Sequence, residues 1–378
     1  MKTAFLLSLA GLSTAQLSGF DWDAIDAAGP PAEATVPVGV VTASTADYAS
    51  ETAAASVASD VIESPLTAAT AVATPVPSAI PGRRHRFRRD ACAPQPAGYG
   101  PVADPDTPQG FLNFAAFSSA ANGVTTPRGY SLNFKNLQGS VENNGAIMGW
   151  YTLSSYDVGY CASQCNSVSG CNAFNIYYER DPSLDPAPSC ANPASTTVMK
   201  CILWGQAVSA ASATNTGQWR NDFQVVIAGS NGYTKTDISP IDGYDGPTPL
   251  GNAAIQAPLD CSGYDTYLGV KIFQTGVFDA NLCATACTAQ SDYNRRHPPA
   301  NGGYVKTCQF FSTYMLLKNG IAQHQECALY TMAWDPSYAK NKGQWRGNDH
   351  YTINQSYSFV NQTNHGTSRY PCNGTPSK

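Results

Sequence analysis

Hydrophobic and polar positions fall into three regimes along the chain. Behind Lys2 an apolar run from Ala4 to Leu12 stops at Ser13-Thr14-Ala15. From residue 16 to about 82, Ala, Thr, Ser, Val and Pro follow one another without steady periodicity. Beyond that, short apolar and aromatic runs alternate with polar turns. Asp157 and Asp279 each precede an Ala/Cys-rich stretch, a pattern that predicts N-capped helices over 157–165 and 279–287. Cysteines at i and i+4 would leave both sulfurs on one face of each helix. Asn172 to Tyr178, Gln309 to Leu317, Cys201 to Trp204 and Cys327 to Tyr330 read as strands. Gln224 to Ala228 and His350 to Val360 supply closing strands, so each helix is expected to be stapled to an antiparallel sheet.

These elements occur twice in the same order. Cys161-x-x-x-Cys165, Cys171-x-x-Phe174-x-x-Tyr177 and Cys201-x-Leu203-Trp204 are matched by Cys283-x-x-x-Cys287, Cys308-x-x-Phe311-x-x-Tyr314 and Cys327-x-Leu329-Tyr330. Ala213-x-Asn215-x-Gly217-Gln218-Trp219-Arg220 is matched by Ala339-x-Asn341-x-Gly343-Gln344-Trp345-Arg346. The step from the last shared cysteine to the tryptophan is 18 positions in both copies. A duplication this long implies two copies of one module.

The first regime reads as a secretory signal peptide over 1–15, too short to span a membrane. The second, residues 16–89, is expected to be a disordered pro-segment, because it lacks the apolar surface to offset its ordering entropy. It ends in a basic run whose Arg86-x-Arg88-Arg89 resembles a kexin-type cleavage site, with processing after Arg88 and Arg89. The remaining boundaries are a first module at 90–228, a Gly/Pro/Asp-rich linker at 229–260, a second module at 261–360 and a polar tail at 361–378. Twelve cysteines in a secreted chain point to disulfides rather than metal. Sequons at Asn354, Asn361 and Asn373 mark expected glycosylation. A formal net charge of −5, without a basic patch after residue 89, argues against nucleic acid as a partner.

A Cys-x-x-x-Cys helix followed by Cys-x-x-Phe and Cys-x-Leu strands resembles the PAN/Apple module. Cys171-Asn-Ala-Phe-Asn-Ile-Tyr-Tyr-Glu-Arg-Asp-Pro182 and Gly217-Gln-Trp-Arg220 more closely resemble secreted fungal Apple-like, or fruit-body-type, proteins. The resemblance implies an α+β chain of two tandem disulfide-stapled modules. It also implies the pairs Cys161–Cys201, Cys165–Cys171, Cys283–Cys327 and Cys287–Cys308. Cys92 with Cys190, and Cys261 with Cys372, are then left to each other.

Candidate chemistry is sparse. Of five histidines none recurs at matched positions, and neither G-x-S-x-G nor H-E-x-x-H occurs. Glu179 and Asp181 form a conceivable carboxylate pair, but beside Pro182 a solvated turn is the plainer reading. The expectation is a protein without catalysis, metal or cofactor. Trp219, Arg220, Trp345 and Arg346 are the candidate ligand contacts, since an indole face and a guanidinium suit sugars and protein partners alike. Against this, their strict repetition favours a role in each module's core. Tyr130, Tyr233, Tyr244, Tyr264 and Tyr293 are expected on contact loops. The expected role is a secreted, extracellular or cell-wall protein that binds polysaccharide, or alternatively an extracellular protein; a hydrolase is a remote third.

Overall fold

The computed structural model describes residues 20–31, 35–41, 43–63, 91–142, 145–300 and 302–363. The expected signal peptide, Arg88, Arg89, Cys372 and Asn373 lie outside them. In chain order the elements begin with α1 (Trp22–Ala28), β1 (Ser44–Thr45), α2 (Ser50–Glu63), α3 (Pro108–Leu112) and α4 (Ala115–Gly123). There follow β2 (Tyr130–Leu137), β3 (Ile147–Leu153), α5 (Val158–Ser167), β4 (Ala173–Pro182), β5 (Ser195–Trp204), β6 (Gly217–Arg220) and β7 (Phe223–Lys235). The remainder is β8 (Tyr244–Gly251), β9 (Ala254–Ile255), β10 (Tyr267–Phe273), α6 (Ala280–Arg296), β11 (Phe310–Lys318), β12 (Ile321–Tyr330), β13 (Ala339–Asn341), β14 (Gly343–Arg346) and β15 (Asp349–Asn361).

The architecture is α+β, with antiparallel sheets. One sheet runs β1-β3-β5-β4-β7-β2 with β6 also on β7; the other runs β10-β12-β11-β15-β14 with β8 also on β15. The predicted helices form as expected. Asp157 caps α5 by accepting from Tyr160 N at 2.9 Å, and Asp279 caps α6 by accepting from Asn281 N at 2.9 Å. The paired cysteines of each helix are fully buried against the sheet. Disulfides join Cys161–Cys201, Cys165–Cys171, Cys283–Cys327 and Cys287–Cys308, in agreement with the pairing that the resemblance implies, and Cys92–Cys190, the pair left over by elimination. Cys261 is also disulfide-bonded.

The two sheets match in detail the sequence does not advertise. Phe174 lies edge-on to Tyr130 at 5.2 Å and stacks on Tyr233 at 4.9 Å. Phe311 lies edge-on to Tyr244 at 5.3 Å and stacks on Phe359 at 4.9 Å. The hydroxyls of Tyr130 and Tyr244 donate to Ala162 O and Ala284 O, the residue after the first cysteine of each helix. Both central pairings also slip at one place, between Ile176 and Tyr178 on β4 and between Thr313 and Met315 on β11. The chain opposite each slip turns through positive φ, at Gly229 and at Gln355. Glycine is needed at the first because a Cβ there would crowd the Tyr178 ring at 3.0 Å and Phe117 O at 3.1 Å.

Three expectations are corrected here. The described part of 16–89 is not disordered: Phe20, Ala24, Ile25, Val36, Tyr48, Val57 and Val61 are buried. The segment has no core of its own, so composition suggested disorder; its apolar residues are buried against surfaces that the rest of the chain builds. The stretch 229–260 is not simply a linker, since β7 runs to Lys235 and β8 pairs with β15. Its strands are masked by buried polar residues that hydrogen-bond internally, as Asn231 does to Ala121 O at 2.8 Å. Four of the five singled-out tyrosines are not on loops: Tyr130, Tyr233 and Tyr244 are buried in strands and Tyr293 is half-buried in α6. Tyr264 alone of the five is exposed, at 71%.

Candidate binding surface

The repeated A-x-N-x-G-Q-W-R letters sit where a short strand folds back along a long one, β6 on β7 and β14 on β15. Most letters have a local structural role. Asn215 Oδ1 accepts from Gly217 N at 3.0 Å and Asn341 Oδ1 from Gly343 N at 3.1 Å, closing the turn into each hairpin. The glycines have φ of 102° and 111°, and a Cβ would lie about 2 Å from Val225 O or Tyr351 O across the hairpin. The arginines are tied down by carboxylates. Arg220 Nη2 meets Asp185 Oδ1 at 2.5 Å, while Arg346 reaches Asp26 through Nη1 at 2.5 Å and Nη2 at 2.7 Å. Arg346 also lies 4.9 Å above the Trp22 ring.

The tryptophans are different. Trp219 and Trp345 are each 66% exposed, so the reading that favoured a core role fails. β6 is hydrogen-bonded to β7 and β14 ends its sheet, so each tryptophan stands on a short edge strand. Trp345 stacks on His350, directly opposite on β15, with centroids 4.5 Å apart and planes 11° from parallel. Trp219 faces Gln224 in the same register. Each hairpin therefore presents one large apolar ring to solvent beside an amide, Gln218 or Gln344, and an anchored guanidinium. The anchors Asp185 and Asp26 were not legible in the sequence. Asp185 sits in the insert between β4 and β5, which Cys92–Cys190 fastens, and Asp26 lies 320 positions from its partner.

The carboxylates Glu179 and Asp181 do not form a solvated turn. They project from β4 into the interior, 1% and 2% exposed. Glu179 Oε1 meets Lys200 Nζ at 2.5 Å and accepts from Gly39 N at 2.9 Å. The side-chain partner of the Asp181 carboxyl is the Glu179 carboxylate, a pairing that requires a proton on Asp181. Burial, and next the Glu179 charge, hold the Asp181 carboxyl well above the usual carboxylate range. A closed pair of this kind has no access for substrate.

A polar cavity of about 260 Å³ lies where the two halves meet, lined among others by Tyr48, Asn172, Lys235, Asp237 and Asp279. Burial pushes the Lys235 ammonium down to about 8. Its amine nevertheless holds structure together, donating to Cys165 O at 3.0 Å and Cys171 O at 2.7 Å. Asp279 Oδ2 likewise accepts from Tyr48 Oη at 2.9 Å and Ser50 Oγ at 2.5 Å. Among the described residues no group of His, Cys, Asp or Glu is placed to hold a metal ion. No helix there is long and apolar enough to cross a membrane.

Of the sequons, Asn354 is half-buried in β15. Asn361 is 6% exposed, and its Nδ2, the atom a glycan would occupy, donates to Cys308 O at 3.3 Å. No protein-family model matches the chain, and no curated protein matches it.

Proposed function

We propose that this is a secreted, non-catalytic binding protein built from two tandem PAN/Apple-like modules, and that it holds polysaccharide through Trp219 and Trp345. The observation that carries the reading is the pair of matched hairpins, each exposing a tryptophan whose neighbours in the motif are occupied structurally. An indole exposed at 66% offers a flat apolar face for a sugar ring, and the adjoining Gln218 or Gln344 supplies an amide able to bond hydroxyls. The matched helices, bulges and disulfides support the tandem-module reading, and disulfide density fits the extracellular space. Two equivalent points on one chain add avidity toward a repeating polymer.

Sedimentation of the protein with insoluble chitin, β-glucan and mannan tests this. Retention by one polymer and not the others is the expected outcome. Failure to bind any of them would sink the carbohydrate reading and leave the alternative, an adhesin or structural wall protein with a protein partner.

A further inference from the structure

Residues 20–63 cross both sheets, and each contact they make completes something left unfinished by the rest of the chain. Phe20, Ala24 and Ile25 of the first turns cover the face of β10, β11 and β15 turned away from α6, joining Val270, Tyr314 and Ile353 in one apolar cluster. Farther along, Pro37 O accepts from Lys200 Nζ at 2.6 Å and Gly39 N donates to Glu179, closing off the buried ion pair. Val41 exchanges two bonds with the Thr152 hydroxyl, at 3.1 and 3.2 Å. β1 then adds to the open edge of β3, with Ser44 opposite Trp150 and Thr45 opposite Gly149. Tyr48 and Ser50 bond the cap of α6, and Ala53, Val57 and Val61, spaced four apart, bury one face of α2 in the cluster that contains α6.

We propose that this segment is a permanent clasp rather than a removable pro-segment. Cutting the chain in the basic run at 83–89 then yields a two-chain complex in which 20–63 stays bound to the body. The acceptor surface is specific in kind: an open strand edge, a strip beside α6 that takes an Ala/Val-faced helix, and a polar slot over Lys200 and Glu179. Losing the clasp would bare the β3 edge and open a buried ion pair to rearrangement, both costly states. Contacts strung along one peptide reinforce one another, so the segment stays or leaves as a unit, and its α2 face is a main apolar part of that hold.

The test is to fold the full chain and cut it with a kexin-type protease. If the basic run resists, a specific protease site placed between Pro81 and Asp90 makes the same cut. The products are then examined by native mass spectrometry and size exclusion. The expected result is one species with the summed mass, resolving into two pieces only in denaturant. An N-terminal piece that elutes alone while the body remains folded would overturn the proposal. In a second arm, Val57→Asp with Val61→Asp should let the cut piece leave a body that still unfolds cooperatively. Undiminished co-elution of that variant would equally count against the clasp as described. Neither arm depends on carbohydrate binding, so failure here is distinct from failure of the functional reading.

Discussion

The hairpins of Trp219 and Trp345 share sequence, register and exposure, yet their arginines are held by unrelated carboxylates. Arg220 is anchored from the insert that interrupts its own half, between β4 and β5. Arg346 is anchored by Asp26, from the segment at the far end of the chain. The core of each half is thus repeated while the supports of its outer surface are not. Each half carries its own staples and its own aromatic stack. The hairpin braces differ instead: an insertion holds Arg220, and the N-terminal segment, which crosses both sheets, holds Arg346.

The largest effects should be symmetrical. Phe174→Ala and Phe311→Ala remove rings in equivalent stacks, and each should cost about 3–5 kcal/mol in denaturant unfolding. A marked inequality would break the equivalence of the two cores. Next come the helix-to-sheet staples. Replacing Cys161 with Cys201, or Cys283 with Cys327, by alanine pairs should cost about 2–4 kcal/mol, similar in the two halves because the loops closed are of similar length.

The following effect should be one-sided. Asp181→Asn should stabilise by on the order of 1 kcal/mol at pH 7, because an acid that must keep its proton beside the Glu179 charge is replaced by an amide that is neutral at every pH. Its raised native pKa means the folded chain retains a proton that the unfolded chain gives up above about pH 4. Stability contributed by the protonated acid is therefore present below that pH and lost as pH rises. The gain from Asp181→Asn should accordingly vanish near pH 3 and grow toward neutrality in thermal scans. A gain independent of pH would show that Asp181 is not held protonated. No matching change exists in the other half, where Lys318 occupies the equivalent position of β11. Smallest of all, Asp185→Ala should speed amide exchange in the β6–β7 hairpin only, and Asp26→Ala in the β14–β15 hairpin only. The exposed Asp26 pair is worth little to global stability, so Asp26→Ala should barely move the unfolding midpoint, while the half-buried Asp185 pair should shift it slightly more.

Much of this was legible in the chain. Cys161 and Cys165 on a capped helix, and the strands after Cys171 and Cys201, follow from spacing and aromatic runs. Tyr130 and Tyr244 were not legible as partners, because the spacing that separates them from their helices differs between halves, and only the shared contact to Phe174 or Phe311 aligns them. The order in 20–63 was hidden for a different reason. Ala53, Val57 and Val61 do recur at helical spacing, but their segment is too poor in apolar residues to fold without the surface it covers. At the candidate surface the motif letters were legible, while the surroundings of each were not. The arginines are structural, as repetition suggested, and the tryptophans are not, because a short edge hairpin has a solvent face that periodicity over four residues does not reveal.

The measurement that bears most directly on the central claim is a set of binding isotherms on the retained polymer for wild type, Trp219→Ala, Trp345→Ala and the double variant, each with its thermal unfolding curve. The account predicts weaker binding in either single variant, by about ten- to a hundredfold if both hairpins engage one chain. It further predicts loss of binding in the double variant with the unfolding curve unchanged. A double variant that binds as the wild type does would contradict it, and would place the binding surface elsewhere on the molecule.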